Sequence, residues 1–209
     1  MKHYKYIIIL MVSFFCLFSC EKETEGISRI TEYPTFEMQG GDFIFVKVNS
    51  TFTDPGVTAY AGETELPVEV NGTVDTSVPG IYSLQYAAIN SDGLPASTQR
   101  TVAVVEAMPT KDLSGDYQIV HATRTNKIIV TQNNGILGYY RASDSWWQAY
   151  PIPLDFVDMG DGSITILQGS SPFGRHYGTG TISPAGEVKF TVTMPDQRNL
   201  VYNTTWKPV

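Results

Sequence analysis

The chain has 209 residues, a formal charge of −7 at pH 7, 12% aromatic residues, 18 Gly and 12 Pro. An acidic surface repels nucleic acid and anionic lipid headgroups, which argues against either as a partner. A Tyr-rich, turn-rich composition with few helical stripes points to an all-β protein, and no internal repeat or low-complexity stretch interrupts it.

The first element is apolar. From Tyr6 to Ser19 only Ser13 and Ser19 break the run, which at roughly fourteen residues falls short of the about 20 needed to cross a bilayer core. With Lys2 and Lys5 ahead of it, the run reads as the h-region of an export signal. It ends in Leu17-Phe18-Ser19-Cys20. A Leu three residues before a Cys, and a small residue just before it, resemble a bacterial lipobox. Cleavage there makes residues 1–19 a signal peptide and removes Cys16, the other cysteine of the chain. A disulfide is then impossible, and the use left for Cys20 is acylation. Acyl chains contribute about 0.8 kcal/mol per buried methylene, so two or three hold a protein to a membrane that it does not span. The same cleavage removes Lys2 and Lys5 and no acid, moving the formal charge from −7 to −9.

Residues 20–27 form an acidic tether. Glu21-Lys22-Glu23-Thr24-Glu25 resembles the export signal that sends Bacteroidetes lipoproteins to the outer face of the outer membrane; a plain solvated linker is the alternative.

Residues 28–106 read as short strands between turns. Thr53-Asp54-Pro55-Gly56 places Pro and Gly where a β-turn wants them. Asn71-Gly72 signals a hairpin. Pro79-Gly80 is a turn from which the strand Ile81–Ala87 departs, with Tyr82, Leu84 and Tyr86 on one face. Asn90-Ser91-Asp92-Gly93 closes a hairpin into Thr98–Val105. Six or seven such strands predict an immunoglobulin-like sandwich, with Tyr82 and Tyr86 in its core. The succession FTDPGVTAYAG, VPGIYSLQYAAINSDG and RTVAVVE resembles the immunoglobulin-like domain of bacterial surface proteins, a type also found in pesticidal crystal proteins. That resemblance implies a spacer or adhesive module and brings no catalytic residues.

Residues 107–111, Ala-Met-Pro-Thr-Lys, are a short linker. Residues 112–209 carry about eight strands joined by hairpins. Asn133-Asn134-Gly135 is a turn that wants positive φ, and Met159–Gly162 and Pro184–Gly186 mark two more. Val188, Phe190, Val192 and Met194 alternate with Glu187, Lys189, Thr191 and Thr193, so one face is wet. An antiparallel meander follows, a barrel or strongly curved sheet with lipocalin-like connectivity. The opening Leu113-Ser114-Gly115-Asp116-Tyr117 and the closing strand resemble the C-terminal domain of small Bacteroidetes lipoproteins. Those proteins often accompany polysaccharide-uptake systems, and the resemblance implies no particular ligand.

Signals for chemistry are sparse. No His-Glu-x-x-His, Gly-x-Ser-x-Gly or phosphate-cradling loop occurs, and no cofactor or metal is expected. Asp158 and Asp161 flank one turn and fall short of the six to eight oxygens that calcium takes. A glycoside hydrolase needs only two carboxylates, but the acids of residues 112–209 sit beside turn glycines or on wet strand faces. The expectation is a non-enzymatic protein.

One stretch stands out: GYYRASDSWWQAYPIP. It crowds Tyr140, Arg141, Asp144, Trp146, Trp147 and Tyr150 into a loop bordered by strands. Adjacent residues of an extended segment face opposite sides, so one of the two tryptophans points outward or into a pocket mouth. A glycine-rich loop, Gly169–Tyr177, adds Arg175, His176 and Tyr177. Rings stack on the C–H faces of sugars while polar groups hold the hydroxyls; the alternative is that the rings cap the core of a small barrel. Two binding readings stand, a glycan or other surface component, and a protein partner in an outer-membrane complex.

Overall fold

The computed structural model describes residues 31–147 and 149–209. Cys20, the signal segment and the whole acidic tether lie outside them. No helix among the described residues is long and apolar enough to cross a membrane.

The first lobe is a sandwich of two sheets. One holds β1 (Thr35–Met38), β3 (Val57–Ala61) and β4 (Thr64–Leu66); the other holds β2 (Phe43–Lys47), β7 (Pro95–Val105), β6 (Gly80–Ile89) and β5 (Glu69–Asn71), in those orders. β2 runs parallel to β7, and the other pairs are antiparallel. Val46, Leu84, Tyr86, Val102 and Val104 fill the space between the sheets. This is the expected immunoglobulin-like architecture.

Two local expectations change. Asn71-Gly72 is not a two-residue hairpin turn, because β5 ends at Asn71 and β6 begins at Gly80. Gly72 serves a close approach instead: at φ +109° a Cβ there would lie 2.4 Å from the Ser83 carbonyl oxygen. Tyr86 is fully buried as expected, but Tyr82 is only half-buried at the margin of the core and gives its hydroxyl to the Val78 carbonyl at 2.9 Å.

The Asp54-Pro55-Gly56 turn is fastened by a residue the sequence did not single out. Arg100, fully buried, donates from Nε to the Gly41 carbonyl (3.0 Å) and from its terminal nitrogens to Asp54, Tyr86, Gln39 and Gly56. The Tyr86 hydroxyl donates to the other Asp54 oxygen at 2.9 Å. The buried cation is thus paired and its donors are used, as a low-dielectric site requires.

The second lobe is a closed barrel of eight antiparallel strands: β8 (Gly115–Ile119), β9 (Lys127–Gln132), β10 (Tyr139–Ala142), β11 (Leu154–Asp158), β12 (Ser163–Ser171), β13 (Gly174–Ile182), β14 (Val188–Met194) and β15 (Leu200–Pro208). Each pairs with its neighbours in sequence, and β15 closes on β8 with Trp206 opposite Ile119, the meander expected. Inward residues at period two, among them Ile128, Phe156, Ile164, Phe190 and Trp206, form one core. Gly180 permits this packing, since a Cβ there would meet Ile164 at 2.7 Å. Asn134 and Gly135 take φ of 52° and 69° in the turn between β9 and β10, as their sequence demanded. The stretch 169–177 is not a loop: it lies in the β12–β13 hairpin, with only Pro172 and Phe173 between the strands.

Residues 33–209 cluster as one compact unit, and the two lobes share a core. Phe43, Ala103 and Val105 of the sandwich pack with Val157 and Met159 of the barrel, and Phe45, Ile81, Ile136, Tyr139 and Leu167 cover them. The connector is pinned as well. Glu106 N–H bonds the Met159 carbonyl at 2.9 Å, and the Tyr140 hydroxyl donates to the Lys111 carbonyl (3.0 Å) while accepting from Leu113 N–H (3.2 Å).

Candidate ligand site at the mouth of the barrel

The connection from β10 to β11, described at residues 143–147 and 149–153, lies at one end of the barrel. Its shape is set by Asp144, whose Oδ1 accepts from the N–H groups of Ser145 (2.7 Å), Trp146 (2.9 Å) and Ile152 (2.8 Å). Ser145 donates to the Ile152 carbonyl at 2.8 Å and lies 2.9 Å from the Tyr202 hydroxyl. Its own carbonyl accepts from Thr204 at 2.8 Å, and Thr204 accepts from the Trp206 indole at 2.9 Å. The loop is therefore tied to β15 through buried bonds. Burial is the main reason the Tyr202 hydroxyl is pushed up to about 12, so it remains a neutral donor.

The two tryptophans divide as alternation requires. Trp146 turns inward against Tyr202, centroids 4.6 Å apart, with the Arg124 guanidinium 4.9 Å above its ring. Trp147 turns out and is 43% exposed. It bridges to Tyr150 in the backbone and meets that ring at 5.4 Å. Tyr150 in turn meets the edge of Phe173 at 5.9 Å. Phe173 comes from the β12–β13 turn, held down by Gln197, which donates to its carbonyl at 2.7 Å. The same hairpin is clamped by Arg175, which bonds Asp196 at 2.7 Å and holds that carboxyl down at about 2.

Beside these rings lies a cavity of about 310 Å³, lined by Trp146, Tyr150, Phe173, Met194, Leu200 and Tyr202 among others. The lining is aromatic and aliphatic, with Gln197 as its one amide. Its volume falls at the lower end of ligand pockets.

The structure brings together only part of the predicted set. Trp146 and Tyr150 line the cavity, and Trp147 stands at its rim. Tyr140 is fully buried and belongs to the barrel core, which corrects its assignment to the site: its hydroxyl is consumed by the connector. Asp144 is 5% exposed and shapes the loop rather than facing a ligand. Arg175 is spent on Asp196, and Tyr177 lies exposed on β13. Arg141 pairs with Asp155 at 3.3 Å on the outer side of β10 and β11, away from the mouth lining. His176 is 2% exposed beneath Gly169, and burial lowers its pKa. Phe173, Gln197 and Tyr202 were not singled out in the sequence. The alternation of Tyr202, Thr204 and Trp206 marks an inward face, but nothing in it says which rung reaches the opening. No cluster of three or more metal-ligating side chains occurs among the described residues.

Among solved structures, the lipoprotein BT2262 from Bacteroides thetaiotaomicron is 26% identical over 84% of this chain and 100% of that one, with a TM-score of 0.39. The structure of CBM51-2 in complex with GlcNAc and INT domains from Clostridium perfringens ZmpB is 16% identical over 76% of this chain and 29% of that one, at a TM-score of 0.31. The M60 catalytic domain with CBM51-1 and CBM51-2 of the same ZmpB is 15% identical over 78% and 15%, at a TM-score of 0.32. No curated protein sequence matches the chain. Residues 36–104, the greater part of the sandwich, match the family described as bacterial surface protein, Ig-like domain.

Proposed function

We propose that this chain is a non-enzymatic lipoprotein of the bacterial cell surface, acylated at Cys20, held at the outer membrane facing outward, and binding a glycan at the mouth of its barrel in association with polysaccharide uptake. The observation that carries the ligand part is the row Trp147, Tyr150 and Phe173, whose rings stand in succession beside the cavity on segments locked by Asp144 and Gln197. Rings fixed before the ligand arrives lose little entropy on binding, and a sugar's C–H face stacks on them. The match of the first lobe to a bacterial surface domain supports the location. The cavity lining holds no carboxylate, whereas glycoside hydrolysis needs two that flank the bond; this favours binding over hydrolysis.

A second reading has its own support. The lining is so nearly apolar that it also suits a hydrophobic side chain of a protein partner in an outer-membrane complex. Glycan-array binding and pull-down from outer membranes, each with the parent and Trp147→Ala, separate the two. Loss of a glycan signal in the variant supports the first reading. Loss of a co-purifying membrane protein, with no glycan bound by the parent, supports the second.

A further inference from the structure

The ladder between β11 and β12 is short, running from Asp158 opposite Ile164 to Phe156 opposite Ile166. Past Ile166, β12 shifts register against β13, and residues 153–155 part from residues 167–170. A cleft of about 130 Å³ opens there, bordered by Arg141, Asp155, Gln168, Ser170 and His176. His176 Nδ1 is buried without a hydrogen-bond partner. The ring packs beneath Gly169, where a Cβ would lie 2.6 Å from Nε2. An unbonded buried polar atom is costly, and one beside a polar cleft calls for a partner that the described residues do not supply.

Leu167 to Ser170 also form one wall of a larger hollow, about 690 Å³, whose opposite wall is the sandwich: Tyr82, Ser83, Gln99 and Thr101. Gln99 in turn borders a third hollow of about 420 Å³ with Asp42, Gln85, Ser97 and Thr98. The register explains the shared chemistry. On β6 and β7, Ser83 stands opposite Thr101 and Gln85 opposite Gln99, and residues two apart on a strand share a face. A ladder of hydroxyls and amides thus faces the hollows, continuing into Gln168 and Ser170 on β12.

We infer that these hollows form one extended groove, which binds a neutral linear oligosaccharide across the seam of the two lobes and ends in the His176 cleft. Hydroxyl and amide side chains both donate and accept, as sugar hydroxyls do. The two cations along the path are engaged, Arg175 with Asp196 and Arg141 with Asp155, and the chain is acidic overall, so a polyanion is disfavoured. The shared core holds both walls in place before the ligand arrives. The groove is separate from the barrel mouth, and its reading stands whether or not the mouth binds a glycan.

Calorimetry on the full chain in detergent tests this, with cellohexaose, maltohexaose, xylohexaose and mannohexaose as probes, their disaccharides, and hexagalacturonate as the acidic control. Gln99 and Gln168 are exposed, so Gln99→Ala and Gln168→Ala should melt like the parent. The expected result is binding of at least one neutral hexasaccharide, weakened tenfold or more for its disaccharide and in either glutamine variant. Binding of none of the neutral hexasaccharides, or of hexagalacturonate alone, would overturn the inference. Binding that Trp147→Ala abolishes and Gln99→Ala leaves intact would overturn it as well, because the ligand then sits in the barrel mouth.

Discussion

The ring of Phe43, on the second strand of the sandwich, lies flat on the ring of Tyr139, on the third strand of the barrel, with centroids 4.1 Å apart and planes 11° from parallel. Phe43 is 6% exposed, so the pair is part of a core and not a surface contact. Two lobes that share buried side chains unfold together unless that core is broken.

Phe43→Ala should therefore cost about 3–5 kcal/mol and split a single thermal transition into two. Gly160→Ala should uncouple the lobes from the other side, since at φ +82° a Cβ would fall 1.9 Å from the Ala107 carbonyl oxygen. Differential scanning calorimetry reads both; one sharp transition in each variant would show that the seam does not couple the lobes.

Arg100→Met removes the buried cation and leaves Asp54, the Tyr86 hydroxyl and three carbonyls short of a donor. Breaking a buried pair from one side costs about 3–5 kcal/mol. Urea unfolding measures it, and a loss under about 1 kcal/mol would mean that water replaces the guanidinium.

The two tryptophans should separate stability from binding. Trp146→Ala strips the partner from Tyr202 and Arg124, and because the ring is only partly buried the loss should approach, without reaching, the about 3–5 kcal/mol of a core aromatic. Trp147→Ala should stay within about 0.5 kcal/mol of the parent, as surface changes do, while losing most of the affinity at the mouth. Melting and binding on the same two variants decide this; equal destabilisation would make both rings core.

Acid should weaken the fold through His176. Burial lowers its pKa below 6.5, with Asp155 opposing and Arg141 assisting. Below pH 6.5 the unfolded chain takes up a proton that the native ring refuses, so stability falls as pH drops from there to the native value and then levels off. His176→Asn should flatten that slope. Asp158, raised by burial, acts in the opposite sense but is present in both proteins. Parallel slopes for parent and variant between pH 7.5 and 5 would assign the loss elsewhere.

Cys20→Ala should free the protein from membranes or leave the precursor uncleaved. Metabolic labelling with a radioactive fatty acid is the check, and label retained by the variant would place the acyl chain on another residue.

The barrel was legible wherever one face is wet: Val188–Met194 alternate in sequence and in burial, and Asn134-Gly135 announced positive φ. The hairpin at 169–177 was not, because glycine reads as a loop residue while Gly169 here is a strand position pressed against the His176 ring. Tyr140 was misplaced because a tyrosine's apolar body and polar tip serve a core and a site equally well. Arg100 and Gln99 escaped notice for a different reason: their roles come from pairing between strands distant in sequence, which no local pattern encodes.

The closure of β15 on β8 sets a schedule for the chain's own assembly. The sandwich has all its strands once Val105 has been synthesised, and it can form while the rest is still being made. The barrel cannot. Its first strand waits for its last, and joining ends so far apart in sequence is slow. Until Leu200–Pro208 arrive, β8 and β14 each expose an unpaired edge of the kind that recruits other chains. A nascent or truncated chain would thus carry one finished lobe and one adhesive one, and the nine residues of β15 are what cover both edges.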